Sequence, residues 1–221
     1  MNGATPRPEI RILVDGLERL GIDRAPGLIE RFQLFIDELL TWNKKTNLVG
    51  TSDRDEVVRR HILDSLAALR LINGRTTPIL DIGAGAGFPS IPLALVEGAL
   101  LFHAVEKRKK RAMFLRNVAV ILGLQNLTVF EKDVRELKGA YDTVVARGVG
   151  DLLELFRLAE RFLKERGMII AYKGKMSEIE KEVARLRADG KNGKNLSLHI
   201  QKVDVPSLEE EERNIVIIEV K

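Results

Sequence analysis

The chain has 221 residues, 45% hydrophobic and 31% charged, with 36 Lys and Arg against 32 Asp and Glu for a formal net charge of +4. That is the balance of an ordinary globular protein, long enough for one domain with an appendage, and so mild a basic excess is weak evidence for a nucleic-acid partner. The absence of cysteine excludes disulfides and thiolate metal sites, and His61, His103 and His199 lie too far apart for a metal-ligand spacing.

The first residues, Met1 to Glu9, form no apolar signal region, and no later run approaches membrane-spanning length. A cytoplasmic protein bound to neither metal nor membrane is the expectation. The first 70 residues read helical. Ile10, Leu13, Val14 and Leu17 share one face between Glu9 and Leu20, and Gly21 is a natural stop. A second helix from about Pro26 carries the stripe Leu28, Phe32, Phe35, Ile36, Leu39 and Leu40, then gives way to a polar segment, Thr41 to Leu48, around Trp42. A third, capped by Ser52 or Asp53, is expected to run to about Leu71. Residues 73–77 read as a polar hinge, which divides the chain into a helical extension at 1–72 and a ligand-binding domain at 73–221.

Residues 79–89, Ile-Leu-Asp-Ile-Gly-Ala-Gly-Ala-Gly-Phe-Pro, are the most informative stretch. An apolar strand ending in a glycine loop before a helix presents bare backbone N–H groups that a nucleotide-like ligand can approach closely. The dinucleotide fingerprint requires G-x-G-x-x-G, and here Phe88 breaks that spacing by one residue. Asp81, just before the loop, disfavours a pyrophosphate and favours a cation. S-adenosylmethionine, which carries a sulfonium and an ammonium, suits Asp81, Gly83 and Gly85 better than a dinucleotide does.

From residue 78 onward strands (78–82, 100–105, 127–131, 142–146, 167–172, 197–204, 214–220) alternate with helices (88–97, 107–122, 151–164, 176–188). Alternation of this kind gives an α/β fold with a mainly parallel, seven-stranded sheet covered on both faces. No helix separates the last two strands, so they pair antiparallel and one strand near the end is reversed. That is the Rossmann-like architecture of class I methyltransferases. The unbroken cations Lys107 to Arg111 are either a solvated helix face or phosphate contacts.

Four motifs then occur in order: Trp42-Asn-Lys-Lys-Thr-Asn-Leu48, Arg60-His-Ile-Leu-Asp-Ser-Leu66, Leu80 to Pro89, and Ala146-Arg147. Together they resemble the bacterial small-subunit ribosomal RNA guanine-N7 methyltransferases, the glucose-inhibited division protein B family, over roughly residues 28–175. The resemblance implies S-adenosylmethionine as methyl donor and 16S ribosomal RNA or the small ribosomal subunit as partner, with the protein acting as a monomer. It implies that Gly83 and Phe88 line the cofactor, that Glu106 accepts from two ribose hydroxyls, and that Val134 and Arg135 edge the adenine through backbone groups. It places Arg147 beside the cofactor, facing the substrate, and makes Lys110 and Arg111 a paired motif after the ribose-binding strand. Ser90 stands where the family commonly has glycine, and Arg135 where it commonly has glutamate; residues 186–199 align poorly.

Guanine N7 attacks with an unprotonated lone pair, so no catalytic dyad is expected and catalysis rests on proximity and orientation. His61, Asp64 and Ser65 share a helix face, as part of the base pocket or as a polar tie between extension and sheet. Ser65 reads more as a tie, and His61 and Asp64 fit either role. Asn47 is a functional residue or a helix cap, and Trp42 reads as packing more than base stacking. Lys107, Arg108, Lys110, Arg111 and Lys173 are candidate RNA contacts, although Lys173 also reads as a solvated lysine. Two rivals share parts of this pattern: a small-molecule methyltransferase, which would lack the basic run, and a non-enzymatic RNA-binding assembly factor, which would have lost the loop.

Overall fold

The computed structural model describes residues 7–72, 74, 78–189 and 196–220. Seven strands form one sheet in the order β3-β2-β1-β4-β5-β7-β6. They are β1 (Ile79–Ile82), β2 (Phe102–Val105), β3 (Leu127–Phe130), β4 (Tyr141–Arg147), β5 (Leu163–Lys173), β6 (Leu196–Lys202) and β7 (Asn214–Val220). The first five run parallel, while β7 lies antiparallel to both β5 and β6. The expected reversed strand is therefore β7. It sits inside the sheet, not at its edge.

The helices are α1 (Pro8–Arg19), α2 (Leu28–Thr46), α3 (Arg54–Val57), α4 (Asp64–Leu66), α5 (Leu69–Ile72), α6 (Ser90–Val96), α7 (Lys109–Ile121), α8 (Leu152–Ala159) and α9 (Met176–Ala188). Strand alternation sends neighbouring side chains into different cores. Ile79 joins the core built by α1 to α7, whereas Leu80 and Ile82 join the core under α8 and α9. The buried stripe of α2 (Leu28, Phe32, Phe35, Ile36 and Leu39) packs into the first of these. At roughly 2 kcal/mol per buried side chain, that packing rather than intrinsic helicity holds the N-terminal helices to the sheet.

Three elements differ from expectation. Helix α2 continues through Trp42 to Thr46, because Trp42 packs edge-on to Phe114 of α7 and Thr46 Oγ1 donates to the Trp42 carbonyl at 2.6 Å. Asn47 then ends it in the left-handed conformation, φ 47°. The third helix starts where expected, capped by Asp53, which accepts from the amides of Asp55 and Glu56. It is not continuous: a π-helical segment, Val58–Leu63, separates α3 from α4, with α5 following. The helix expected over 151–164 stops at Ala159. A 3-10 turn, Glu160–Phe162, follows, and Leu163 pairs with Tyr141 as the first residue of β5. Leu152, Leu155, Phe156, Ala159 and Phe162 are all buried at helical spacing, which carried the periodicity past the true end. The expected hinge at 73–77 lies outside the described residues apart from Gly74, as do residues 190–195 of the poorly aligned segment.

Candidate active site

The glycine loop closes over the end of the neighbouring strand. The amides of Gly83 and Ala84 both donate to the Val105 carbonyl, at 2.9 and 3.1 Å. Gly83, Gly85 and Gly87 all have positive φ (70°, 58° and 88°), which a side chain would strain. A Cβ at Gly87 would also collide with Ile91 of α6. Beside this loop a cleft of about 730 Å³ opens at the carboxyl ends of β1, β2, β3 and β4, lined by Gly83, Glu106, Arg108, Val134, Arg135 and Gly148 among others. Ligands of open α/β sheets bind at such edges.

Glu106 is nearly enclosed, and both its oxygens are fixed by backbone donors. Oε2 accepts from Gly85 N at 3.1 Å and Oε1 from Arg108 N at 2.7 Å. Each oxygen keeps a lone pair for a further donor, so a vicinal diol fits. The Val134–Glu136 turn on the far side is equally fixed. Asp133 accepts from the Arg135 amide, Nε and Nη2, at 2.9, 2.9 and 2.7 Å, and these bonds hold its carboxyl well below the usual range. Arg161 Nη2 donates to the carbonyls of Arg135 and Leu137 at 2.6 and 3.0 Å. Arg135 thus has its own N–H and C=O engaged.

Asp81 is fully buried, and neither carboxylate oxygen has a hydrogen-bond partner; the Ser90 hydroxyl is likewise unpartnered. Burial pushes the Asp81 carboxyl up to about 7, against the pull of the Ser90 hydroxyl and amide, with Glu106 adding to the rise. An orphaned carboxylate under a glycine loop calls for a cation or a donor. The residues present therefore fit S-adenosylmethionine: Glu106 for a ribose, the open glycine backbone for close approach, and Asp81 as the acidic group beneath a cationic ligand.

Arg147, at the end of β4, is absent from the cleft lining, although Gly148 next to it contributes. Its guanidinium turns to the π-helical segment. Nη1 lies 3.3 Å from the His61 carbonyl and 3.5 Å from Ser65 Oγ, and Nη2 donates to the Arg60 carbonyl and to His61 Nδ1, the latter at 3.0 Å. Asp64 Oδ2 pairs with Arg147 Nη2 at 3.3 Å, and its Oδ1 with Arg213 Nε at 3.4 Å. Burial nevertheless raises the Asp64 carboxyl, against the pull of Arg147 and Arg213. Ser65 Oγ donates back to the His61 carbonyl, and the Tyr172 hydroxyl, pushed well up by burial and then by Asp64, donates to the Ser65 carbonyl; both are 2.6 Å. His61 stacks on Phe88 at 5.0 Å and 24°, and Phe88 itself packs against Phe35, so its ring faces the helical layer and does not line the cleft.

Most of the expected site residues therefore fall into two groups. Gly83, Glu106, Val134, Arg135, Lys107, Arg108 and Arg111 line one cleft. His61, Asp64, Phe88 and Arg147 form a second cluster behind the loop. Asn47 is exposed, lining a separate concavity of about 500 Å³ with Asn43, Thr51 and Arg111, and its carbonyl lies 3.4 Å from Arg111 Nη2. Lys110 is exposed beside the cleft. Lys107, Arg108 and Lys110 make no ion pair among the described residues. Lys173, read as a phosphate contact or a solvated lysine, is paired with Glu182 at 2.7 Å and donates to the Gly150 carbonyl at 3.0 Å. Sequence reasoning missed Arg213 and Tyr172, which come from distant segments. Only the acidic run Glu209 to Glu212 beside Arg213 hinted at ion pairing, realised as Glu211 with Arg60 and Arg213. Among the described residues no cluster of His, Cys, Asp or Glu is arranged to hold a metal, and no helix is long and apolar enough to cross a membrane.

A family model described as rRNA small subunit methyltransferase G matches residues 28–216. The Ribosomal RNA small subunit methyltransferase G of Bacillus pumilus is 35% identical over 212 residues, covering 93% of this chain and 87% of its own. That of Borrelia turicatae is 36% identical over 174 residues, 78% of this chain and 84% of its own. Among solved structures, Trm5b from Pyrococcus abyssi superposes with a TM-score of 0.56 at 14% identity, covering 76% of this chain and 49% of that one. TYW2 from M. jannaschii, in complex with AdoMet, gives 0.54 at 20%, covering 72% and 74%. At such identities the likeness is one of fold.

Proposed function

Because the chain belongs to the family of rRNA small subunit methyltransferase G, we propose that it transfers the methyl group of S-adenosylmethionine to N7 of one guanine in 16S ribosomal RNA. It is an S-adenosylmethionine-dependent ribosomal RNA methyltransferase by family. The observation that carries the reading is the fixed Glu106 carboxylate in a cleft also lined by Lys107, Arg108 and Arg111, which make no ion pair among the described residues. The carboxylate suits the donor's ribose, and Lys107, Arg108, Lys110 and Arg111 suit RNA phosphates, which position a substrate without reading its sequence.

S-adenosylmethionine bound in this cleft would supply an electrophilic methyl group for the N7 lone pair, its sulfur keeping the electrons of the broken carbon–sulfur bond. No proton moves, so no general base is required. The chain's residues bind and align: Glu106 holds the ribose, Val134 and Arg135 edge the adenine, and Asp81 lies beneath the donor's cationic end. The cluster of His61, Asp64 and Arg147 fixes the wall where the base arrives, and Asn47 beside Arg111 extends that wall. A base reached this way leaves its stack, as single-stranded RNA permits. Residues 7–72 belong to an extension that supplies the wall, and the reading takes the protein as a monomer acting in the cytoplasm.

The test is transfer of labelled methyl from S-adenosylmethionine to small ribosomal subunits, naked small-subunit RNA and large subunits. The expected result is label in small-subunit RNA alone. With the donor bound but no label in any of the three, the substrate would be sought among small molecules.

A further inference from the structure

We infer that His61, held with its Nε2–H free, donates a hydrogen bond to O6 of the target purine and so selects guanine over adenine. The inference rests on the methyltransferase reading above and assigns His61 a role within it. Arg147 carries donors only, so at 3.0 Å its Nη2 requires a lone pair on His61 Nδ1. The ring proton then resides on Nε2. Arg147 cannot move away, because it is also bound to the Arg60 and His61 carbonyls and to Asp64. The imidazole is stacked against Phe88, which fixes its plane. Nε2 has no hydrogen-bond partner among the described residues and is not among their enclosed polar atoms, while the residue is only half-buried. It is an oriented donor open to solvent.

The two residues that hold this donor adjoin the proposed reaction site along the chain. Phe88 directly follows the glycine loop, and Arg147 directly precedes Gly148 of the cleft lining. Guanine presents N7 and O6 side by side as two acceptors; adenine presents N7 beside an N6 amino donor. A fixed N–H at this position pairs with O6 and opposes the adenine amino group. Charge matters too. Burial, with Arg147 and Arg60 nearby, lowers His61 to about 4, so it stays neutral when the methylated base becomes cationic. An imidazolium there would oppose that charge.

The experiment places guanine, 2-aminopurine or adenine at the methylated position of reconstituted small subunits, using the parent, His61→Phe and His61→Gln. 2-Aminopurine keeps N7 and lacks O6. Phenylalanine keeps the stack on Phe88 and lacks the donor; glutamine restores an N–H. Loss of one oriented donor to a reacting group lowers rate roughly 100-fold. The parent should therefore slow by about that factor on 2-aminopurine, and His61→Phe by a similar factor on guanine. The two losses should not multiply, because they remove the same bond. His61→Gln should recover part of the rate, with donor affinity by calorimetry unchanged in both variants. Multiplying losses, or a parent that methylates 2-aminopurine as fast as guanine, would overturn the inference. If His61→Phe fails to bind the donor, the parent's guanine to 2-aminopurine ratio decides alone. A parent inactive even on guanine overturns the underlying reading as well, and is told apart by that inactivity.

Discussion

At the scale of single residues, Asp81 carries two opposed demands. Its folded value of about 7 exceeds the unfolded value of 3.8. Between about pH 4 and pH 7 the unfolded chain therefore ionises while the native carboxyl keeps its proton, and native stability falls as pH rises through that window. Above it the penalty is complete, about three units or on the order of 4 kcal/mol at most. Asp81→Asn should thus stabilise the donor-free protein at pH 8 by roughly 2–4 kcal/mol in urea unfolding, with the gain vanishing near pH 4, while weakening S-adenosylmethionine binding at least about tenfold. Equal stability of parent and variant at pH 8 would mean that Asp81 has a partner in the fold. Glu106 differs, because Gly85 and Arg108 already orient it. Replacing it by Gln should reduce donor affinity by about 10- to 100-fold in calorimetry, the range for one hydrogen bond to a charged group. An unchanged affinity would remove it from the ribose site.

At the scale of elements, the π-helical segment Val58–Leu63 is the feature that periodicity could not reveal. Its carbonyls at Arg60 and His61 accept from Arg147, a residue more than 80 positions later in the chain. Arg147→Leu would leave those carbonyls and the buried Asp64 carboxylate without that partner. The expected loss is roughly 3–5 kcal/mol, as for breaking a buried pair, with faster amide exchange in residues 54–72 than in β1 or β4. Uniform acceleration across the sheet would contradict this local role. The strands and α9 were legible because alternation and helical spacing are local signals; α9 runs over 176–188 as the periodicity predicts. The glycine loop was legible from composition and order, and Glu106 only through the resemblance to the family. The engagement of Arg147 and Lys173 was not, since each depends on which distant carboxylate or carbonyl the fold brings near. Trp42 was read correctly as a packing residue, and the helix ran through it for that same reason.

At the scale of the whole molecule, the N-terminal helices and one face of the sheet share a single core. Trp42 in α2 reports on the extension, and far-ultraviolet dichroism on the whole chain. Their urea transitions should coincide, and an earlier Trp42 transition would mean that the extension unfolds alone. On the proposed reading, phosphate contacts along the basic rim make RNA binding dependent on salt. Each cation that neutralises a phosphate contributes nearly one unit to the log–log slope, so Lys110→Ala should lower that slope by roughly 1. The most direct measurement takes small ribosomal subunits methylated by this protein, cleaves their RNA with borohydride and aniline at N7-methylguanine, and maps the break by primer extension. A single cleavage site in the small-subunit RNA, present only when protein and S-adenosylmethionine were both added, is the predicted result. Methyl label in that RNA without any such cleavage would contradict the assignment to guanine N7.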